Sequence, residues 1–186
     1  MTRVDPSALK PRADEAQALE PGQIFEAELD YVWTALRRLG VAERDVEDIA
    51  HEVFIRVFAQ LERYDRSRPI RPWLFGFALR CASDYRRRVS HRRQVLGLSE
   101  DPMDEAANPF EQLALAEDLV LAKAALEGLE LTRRAVFILH EIDGYSIPDI
   151  ADSLDIPIGT ASSRLRLARG DFRQAVKRLT LQRGVR

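Results

Sequence analysis

The sequence predicts an all-α protein of two small helical domains joined by a flexible acidic linker. Apolar residues recur at spacings of three and four in several segments, and no segment alternates apolar and polar residues as a half-buried strand would. Between the two groups of helical segments lies a polar, acidic stretch at residues 97–108, GLSEDPMDEAAN, whose composition is typical of a flexible linker. A chain of 186 residues, 46% hydrophobic and 31% charged, is long enough for one or two soluble domains.

Three helices are predicted in the first domain. The first spans Ile24 to Leu39 and stops at Gly40, a residue type that is common just after a helix. The second, residues 46–61, has the clearest amphipathic pattern, because its apolar residues repeat at three and four without interruption. The third runs from about Pro72 to Arg88 and ends in a cluster of arginines.

The second domain is predicted to contain a helix-turn-helix. Helical patterns over residues 115–126 and 132–142 precede the segment GYSIPDIADSLDIPIGTASSRLRLAR at residues 144–169. Ser146 and Asp149 have the spacing of a capping box, and Pro157 cannot continue the helix that they begin. The inward stripe of the following helix consists of Ala161, Leu165, Ala168 and Phe172. On this pattern alone, a helical hairpin with a solvated arginine face remains the alternative to DNA binding.

Charge alternates along the chain although the net charge is only −2. Basic and acidic residues number 7 and 13 in residues 1–62, 10 and 2 in 63–93, 1 and 9 in 94–131, and 10 and 6 in 132–186. Two basic blocks separated by an acidic block suggest two nucleic-acid contact surfaces. The acidic parts are expected to be solvated, to face a protein partner, or to fold back over the basic surfaces.

Nothing in the sequence indicates an enzyme, a cofactor or a metal site. It contains no P-loop, GxSxG or HExxH motif, and its three histidines lack metal-ligand spacing. Cys81 lies in an apolar helical segment, where it is expected to fill the core. No apolar run approaches the roughly 20 residues of a membrane span, and the first residues lack the apolar core of a signal peptide. We therefore expect a cytoplasmic protein without membrane insertion.

Three segments in order resemble the extracytoplasmic-function (ECF, group IV) RNA polymerase sigma factors. DVEDIAHEVFIRVF at 45–58 resembles the polymerase-docking segment of that family, and RPWLFGFALRCASDYRRR at 71–88 its promoter-melting segment. LTRRAVFILHEIDGYSIPDIADSLDIPIGTASSRLRLAR at 131–169 resembles its second DNA-binding domain. The resemblance covers residues 25–179. No further domain lies between the part that contains the docking and promoter-melting segments and the second DNA-binding domain.

The resemblance implies an alternative sigma factor that binds core RNA polymerase and directs promoter-specific transcription initiation. It further implies a stress or envelope response, an anti-sigma factor as inhibitor, and contacts with both double-stranded and melted promoter DNA. The implied divisions are a flexible arm at 1–22, the region 2 helical bundle at 23–93, the linker at 94–112 and the region 4 helix-turn-helix domain at 113–182.

Polymerase binding is expected on the acidic face of the second helix. Charged residues on a stiff helix can orient a basic partner and raise the association rate. The candidates are Asp45, Asp48, His51, Glu52 and Phe54. The family usually has Gln at the position of His51. From the residues alone, a solvated helix face is the alternative.

Recognition of the minus-ten element requires surfaces that hold unpaired bases and cations that hold the backbone. The resemblance implies that the loop from Tyr64 to Arg71 captures a flipped base. The candidates are Tyr64, Arg66, Arg68, Arg71, Arg80, Arg87 and Arg88. Trp73 and Phe77 have helical spacing, which favours a place in the core over base stacking. The family commonly has Arg where Gly76 stands and Asn where Arg80 stands.

Recognition of the minus-thirty-five element is expected from the last helix of the helix-turn-helix. Its exposed hydroxyl and guanidinium groups suit phosphates and base edges. The candidates are Thr160, Ser162, Ser163, Arg164, Arg166 and Arg169. Ser162, Leu167 and Gly170 stand where the family often has basic residues, so this domain alone is expected to bind DNA weakly.

Two other functions fit parts of the sequence. A stand-alone helix-turn-helix regulator would account for residues 132–180 but leaves the acidic helix and the basic aromatic segment without a role. A sigma mimic, which binds an anti-sigma factor without acting on promoters, would retain the fold and lose the DNA contacts.

Overall fold

The computed structural model describes residues 20–96 and 115–183, and within these ranges the regular structure is entirely helical. In chain order the elements are α1 (Pro21–Arg38), a 3-10 turn (Glu43–Asp45), α2 (Val46–Phe58), a 3-10 turn (Leu61–Arg63), α3 (Ile70–Leu96), α4 (Leu115–Glu127), α5 (Leu131–Phe137), a π turn (Ile138–Ile142), α6 (Ile147–Ser153) and α7 (Ile158–Arg183). The all-α prediction is confirmed. Most of the predicted N-terminal arm, residues 1–19, lies outside the described residues.

Helices α1, α2 and α3 pack into a three-helix bundle around a core of aliphatic and aromatic side chains. Leu36, Phe54 and Phe75 are among its largest buried residues, each no more than 2% exposed. The first helix ends as predicted, because Gly40 adopts a φ of 91° and its amide donates to the carbonyl oxygen of Arg37 at 3.0 Å. The bundle therefore fixes which face of α2 and α3 remains at the surface.

The third helix is longer than the sequence pattern indicated. Instead of ending at Arg88, α3 continues to Leu96. No Gly or Pro interrupts the chain until Gly97, and the arginines and Gln94 between these points are good helix formers. The predicted linker at 94–112 therefore begins with three helical residues, and its remainder lies outside the described residues.

Helices α4 to α7 form the C-terminal half, with α6 and α7 as the two helices of the predicted helix-turn-helix. The hydroxyl of Ser146 accepts a hydrogen bond from the Asp149 amide at 3.4 Å, which is the predicted cap. The chain reverses at Asp155, whose φ is 53°, and α7 begins after Pro157. The helix predicted over 132–142 instead divides into α5 and a π turn.

A buried arginine ties the turn between α4 and α5 to the second of these helices. The Arg134 guanidinium is 1% exposed and donates to the backbone carbonyl oxygens of Glu127 and Leu129, the latter at 3.0 Å. Burial lowers its pKa to about 10. Both carbonyl groups lie at the end of α4, where a helix leaves carbonyl oxygens without intrahelical partners. The Arg134 side chain therefore satisfies them and holds the end of α4 against α5.

The two halves are in direct contact. Helix α3 packs against α6, and α1 packs against α4. The buried residues of both halves belong to one hydrophobic cluster, which extends from Ile24 in α1 to Ala168 in α7. The contact between α3 and α6 places the start of the helix-turn-helix beside the loop that precedes α3.

Candidate polymerase and nucleic-acid interfaces

The outer face of α2 carries exposed side chains, and among the described residues His51 alone of them has a partner, the stacked ring of Phe25 at 6.2 Å. Val46, Ile49 and Val53 point into the core, so the opposite face is turned outward. That face presents the side chains of Glu47, Asp48, His51 and Ile55. Ile55 is 69% exposed, a high value for a large aliphatic residue. The outer face thus combines carboxylates with an apolar side chain.

Three of the five polymerase candidates have internal roles. Asp45 accepts a hydrogen bond from the Tyr85 hydroxyl at 2.7 Å, and Glu52 pairs with Arg56 and, at 3.3 Å, with Arg88. The proposal of Phe54 as a surface residue is corrected, because its ring is 2% exposed and packs edge-on against another aromatic ring of the core.

Asp48 and His51 remain exposed, as the sequence suggested. Glu47 and Ile55 also lie on this face and were not among the candidates, although their spacing of four from His51 on either side is that of one helix face. The signal for both was present in the sequence, because they fall on the stripe opposite the buried positions of α2.

The loop before α3 is held by a compact turn. The Asp65 carboxylate accepts hydrogen bonds from the amide and hydroxyl of Ser67 at 3.0 and 2.7 Å, and these bonds lower the pKa of Asp65. The Tyr64 hydroxyl donates to the carbonyl oxygen of Arg68 across the same turn. The loop conformation therefore fixes the direction of the Tyr64 ring.

Aromatic rings continue from this loop into α3. The rings of Tyr64 and Trp73 lie 4.9 Å apart, and Trp73 and Phe77 meet edge to face at 4.9 Å. The Arg80 guanidinium lies 4.5 Å above the Phe77 ring. Phe77 is buried, as its helical spacing predicted, whereas Trp73 is only half-buried.

A cavity of about 330 Å³ lies beside Trp73. Its walls come from the loop and the start of α3 on one side and from α6 on the other. The lining side chains include Arg63, Tyr64, Arg68, Trp73, Asp149 and Asp152. Because it combines aromatic rings with cations, the side formed by the loop and α3 has the chemistry that unpaired bases require.

Most arginines predicted at the minus-ten surface are engaged by carboxylates of the same molecule. The partners are Asp65 and Asp152 for Arg68, Glu28 at 2.8 Å for Arg71, Asp84 for Arg87 and Glu52 at 3.3 Å for Arg88. Arg71 also lies 5.2 Å above the ring of Tyr31. Arg66 is exposed and has no partner among the described residues.

The N-terminal half of α7 exposes the predicted recognition residues. Ala161, Leu165 and Ala168 are buried, which turns the remaining positions outward. The hydroxyl of Ser163 donates to the Thr160 carbonyl oxygen at 3.0 Å. The other candidates there are Ser162 and Arg166, which are exposed, and Arg164, which is half-buried.

Arg169 differs from the other candidates on α7. Its guanidinium contacts the carboxylate of Glu141 at 2.6 and 2.8 Å, a two-point contact with the π turn. This arginine therefore has a structural partner that Arg164 and Arg166 lack within the described ranges.

Comparison with known proteins identifies the two halves. The Sigma-70 region 2 family matches residues 24–93, and the Sigma-70, region 4 family matches residues 119–171. The ECF RNA polymerase sigma factor SigL of Mycobacterium tuberculosis is 30% identical over 172 residues, covering 92% of this chain and 97% of SigL. The chain belongs to the ECF RNA polymerase sigma factors. This sigma factor is also 31% identical over 141 residues to the ECF RNA polymerase sigma-E factor of Escherichia coli K12, covering 69% of this chain and 72% of that protein.

Solved structures of sigma factors have the same helical fold. CnrH, in complex with the cytosolic domain of CnrY, gives a TM-score of 0.60 at 24% identity over 89% of this chain and 92% of that one. RpoE of Bartonella quintana, in complex with the anti-sigma factor NepR, gives 0.65 at 22% identity over 84% and 96%. The resemblance found in the sequence is confirmed. The chain is a promoter-specificity subunit of RNA polymerase, and its family is one of sigma factors, not enzymes.

Across residues 20–96 and 115–183, no helix is long and apolar enough to cross a membrane. The same residues contain no group of three or more His, Cys, Asp and Glu side chains that could hold a metal ion. Cys81 is buried, and burial raises its thiol pKa to about 11, so the neutral thiol is held in the core.

Proposed function

We propose that this sigma factor docks on core RNA polymerase through the outer face of α2. The face combines the unpartnered carboxylates of Glu47 and Asp48 with the exposed side chain of Ile55. An apolar anchor beside charged groups is a common arrangement at protein interfaces, where the charges orient the partner. Asp45 and Glu52 support this face by fixing α2 to α3.

The cavity beside Trp73 is the proposed capture site for an unpaired base of the minus-ten element. Tyr64 and Trp73 supply aromatic surface, and the neighbouring Arg66, Arg68 and Arg71 supply charge for the backbone. Arg80, Arg87 and Arg88 continue the basic surface along α3. The observation that supports base capture at this cavity is its aromatic wall. Binding of the phosphate backbone alone would require positive charge but no aromatic rings.

The N-terminal half of α7 is the proposed reader of the minus-thirty-five element. Thr160, Ser162 and Ser163 lie at the beginning of the helix, where the N-terminal residues of a recognition helix meet base edges in the major groove. Arg164 and Arg166 follow as the principal cationic contacts, with Arg169 held nearby by Glu141. The domains that carry these sites are proposed to span 23–93 and 113–182, with the linker at 94–112.

An anti-sigma factor is the proposed inhibitor. CnrH and RpoE, whose folds resemble this one, were solved in complex with CnrY and with the anti-sigma factor NepR. Control of this chain by such a partner would place it in a cytoplasmic stress or envelope response.

Transcription from sheared genomic DNA by core polymerase, with and without the sigma factor, tests the function directly. Sigma-dependent transcripts should begin downstream of a recurring pair of sequence elements, and core enzyme alone should produce none of them. A sigma mimic would give no new start sites. A stand-alone regulator would protect DNA from nuclease in the absence of polymerase. Either result would contradict the proposal.

A further inference from the structure

An exposed leucine, Leu167, lies on the half of α7 that carries the recognition residues. Its side chain is 37% exposed, and it does not belong to the hydrophobic cluster formed by the described residues. Each residue of an α-helix is turned by about 100° from the one before it, so the side chains of Leu167 and the buried Leu165 point to nearly opposite sides of α7. Packing within the described parts of the molecule therefore does not account for a leucine at this position.

The side chains around Leu167 are those proposed to contact the minus-thirty-five element. Ser163 precedes it by one helical turn, and Arg164 and Arg166 lie on its two flanks around the helix. Leu167 is thus an apolar side chain in the middle of a surface of hydroxyl and guanidinium groups. If this surface enters the major groove, Leu167 must face the edges of the base pairs.

The major groove offers an apolar side chain one suitable contact. Guanine, adenine and cytosine present hydrogen-bond donors and acceptors there, and thymine adds the C5-methyl group beside its O4 acceptor. A leucine side chain would remove water from the polar edges without replacing the lost hydrogen bonds, whereas it packs favourably against a methyl group. The basic residue that the family often has at this position would instead favour guanine, whose O6 and N7 both accept hydrogen bonds.

We infer that Leu167 is a specificity residue of this sigma factor and selects a thymine of the minus-thirty-five element through its C5-methyl group. The inference rests on the proposed role of α7 in the major groove and deepens it, because it assigns one base and one atom to one side chain. The contact also removes from water a leucine side chain that the free protein leaves exposed.

Replacement of thymine by deoxyuridine tests the inference, because it removes the methyl group and leaves the hydrogen-bonding groups in place. The probe is the strongest promoter obtained by transcription of sheared genomic DNA, with each thymine of its minus-thirty-five element replaced in turn on either strand. Binding is measured with holoenzyme assembled from core polymerase and the full sigma chain. At one position the replacement should weaken binding by the parent roughly three- to fivefold, as expected for one methyl group returned to water.

Substitutions at position 167 connect this loss to the leucine. Leu167→Ala should abolish the deoxyuridine effect, because the shortened side chain no longer covers the methyl group. Leu167→Met should retain it, since methionine is apolar and of similar size. Leu167→Arg should lose the preference for thymine and bind better when guanine takes its place.

Leu181→Ala is the matched control, since it makes the same change at another exposed leucine of α7. Leu181 is 62% exposed but lies about 21 Å further along the helix, well beyond the roughly 12 Å width of the major groove. Holoenzyme with Leu181→Ala should therefore show the same deoxyuridine effect as the parent, at the same thymine.

The outcomes separate the inference from the proposed function. Equal deoxyuridine effects in Leu167→Ala and the parent at every position would overturn the role of Leu167 and leave sigma-dependent transcription standing. A minus-thirty-five element in which no replacement weakens binding by the parent would do the same. Loss of the effect in Leu181→Ala as well would show that it does not come from a local contact, which also overturns the inference. Absence of sigma-dependent transcripts would instead contradict the proposed function, and the inference with it.

Discussion

The two surfaces proposed to bind DNA in this sigma factor both carry arginines, but the arginines of one surface are paired with carboxylates and those of the other are not. On the N-terminal surface, Arg68, Arg71 and Arg88 each contact a carboxylate of the same molecule. On the recognition helix, Arg164 and Arg166 have no ion-pair partner in the described parts of the chain. A guanidinium that already has a carboxylate partner must exchange it for a phosphate, whereas an unpartnered one only loses water and counterions. The paired arginines of the N-terminal surface must therefore break an ion pair before they can bind DNA, whereas Arg164 and Arg166 need not.

The largest effect is expected from Glu47 and Asp48, which have no partner among the described residues and lie on the face proposed to bind polymerase. Reversing Glu47 and Asp48 together to Lys should weaken binding to core polymerase at least a hundredfold, about 3 kcal/mol, because like charges would face the basic partner. The free energy of unfolding should stay within about 0.5 kcal/mol of the parent, as for other exposed sites. Titration of labelled sigma factor with core enzyme measures the affinity.

The matched control for this double reversal is Glu26→Lys with Asp30→Lys. These two carboxylates are exposed on α1, so the change in net charge is identical but lies on another helix. If both double variants lose affinity equally, the effect comes from overall charge and the outer face of α2 is not the docking surface.

The next effect concerns the unpartnered arginines of the recognition helix. Arg164→Ala or Arg166→Ala should cost about 1–3 kcal/mol of promoter binding where the side chain contacts a base, and the loss should depend on promoter sequence. Arg178→Ala, an exposed position farther along α7, serves as control. A contact with phosphate alone would instead weaken all promoters alike and reduce the salt dependence by roughly one unit. Transcription by both variants indistinguishable from the parent at every salt concentration would remove these arginines from the interface.

A smaller effect on DNA binding should follow when Arg71 loses its carboxylate partner. Glu28→Gln removes the carboxylate that contacts Arg71 at 2.8 Å but retains a side chain of the same size. The pair is partly exposed, so we expect a stability loss of about 0.5–1 kcal/mol and tighter binding of a thymidine strand by a few-fold. Glu26→Gln, two residues earlier on α1 and without this contact, should change neither. Unchanged strand binding in Glu28→Gln would mean that internal pairing does not restrain this surface.

The helical pattern predicted the elements well because each depends on local spacing. The bundle helices, the cap at Ser146 and the inward stripe of α7 all follow from residues within one or two turns of each other. Local spacing could not predict which charged side chains are already paired within the molecule. Arg68 and Asp152 are far apart in sequence and meet only because α3 packs on α6. Phe54 belongs to the apolar stripe of α2, and its burial agrees with that pattern; its proposed place on the polymerase surface was the part that was wrong.

The smallest effect concerns the buried carboxylate of Asp143, which joins the two halves through Tyr31 and Arg38. Burial raises its pKa, and the hydrogen bond from Tyr31 and the charge of Arg38 only partly offset this effect. The folded protein therefore binds this proton at higher pH than the unfolded chain does. The stabilising contribution is fully present below the ordinary aspartate pKa of about 3.9 and is lost as the pH rises through the folded value.

At pH 7 the free energy of unfolding of Asp143→Asn should therefore equal that of the parent or exceed it by less than about 1 kcal/mol. The amide oxygen can still accept the hydrogen bond from Tyr31, and the amide has no charge to desolvate. The difference should shrink as the pH falls toward 4. Asp143→Ala provides the contrast, since it leaves the Tyr31 hydroxyl without its acceptor and should cost about 1–3 kcal/mol at either pH. Denaturant unfolding at several pH values measures all three proteins. A parent that is more stable than Asp143→Asn at pH 7, with a difference that grows with pH, would show that the ionised carboxylate stabilises the interface and that its proton affinity is lowered by folding.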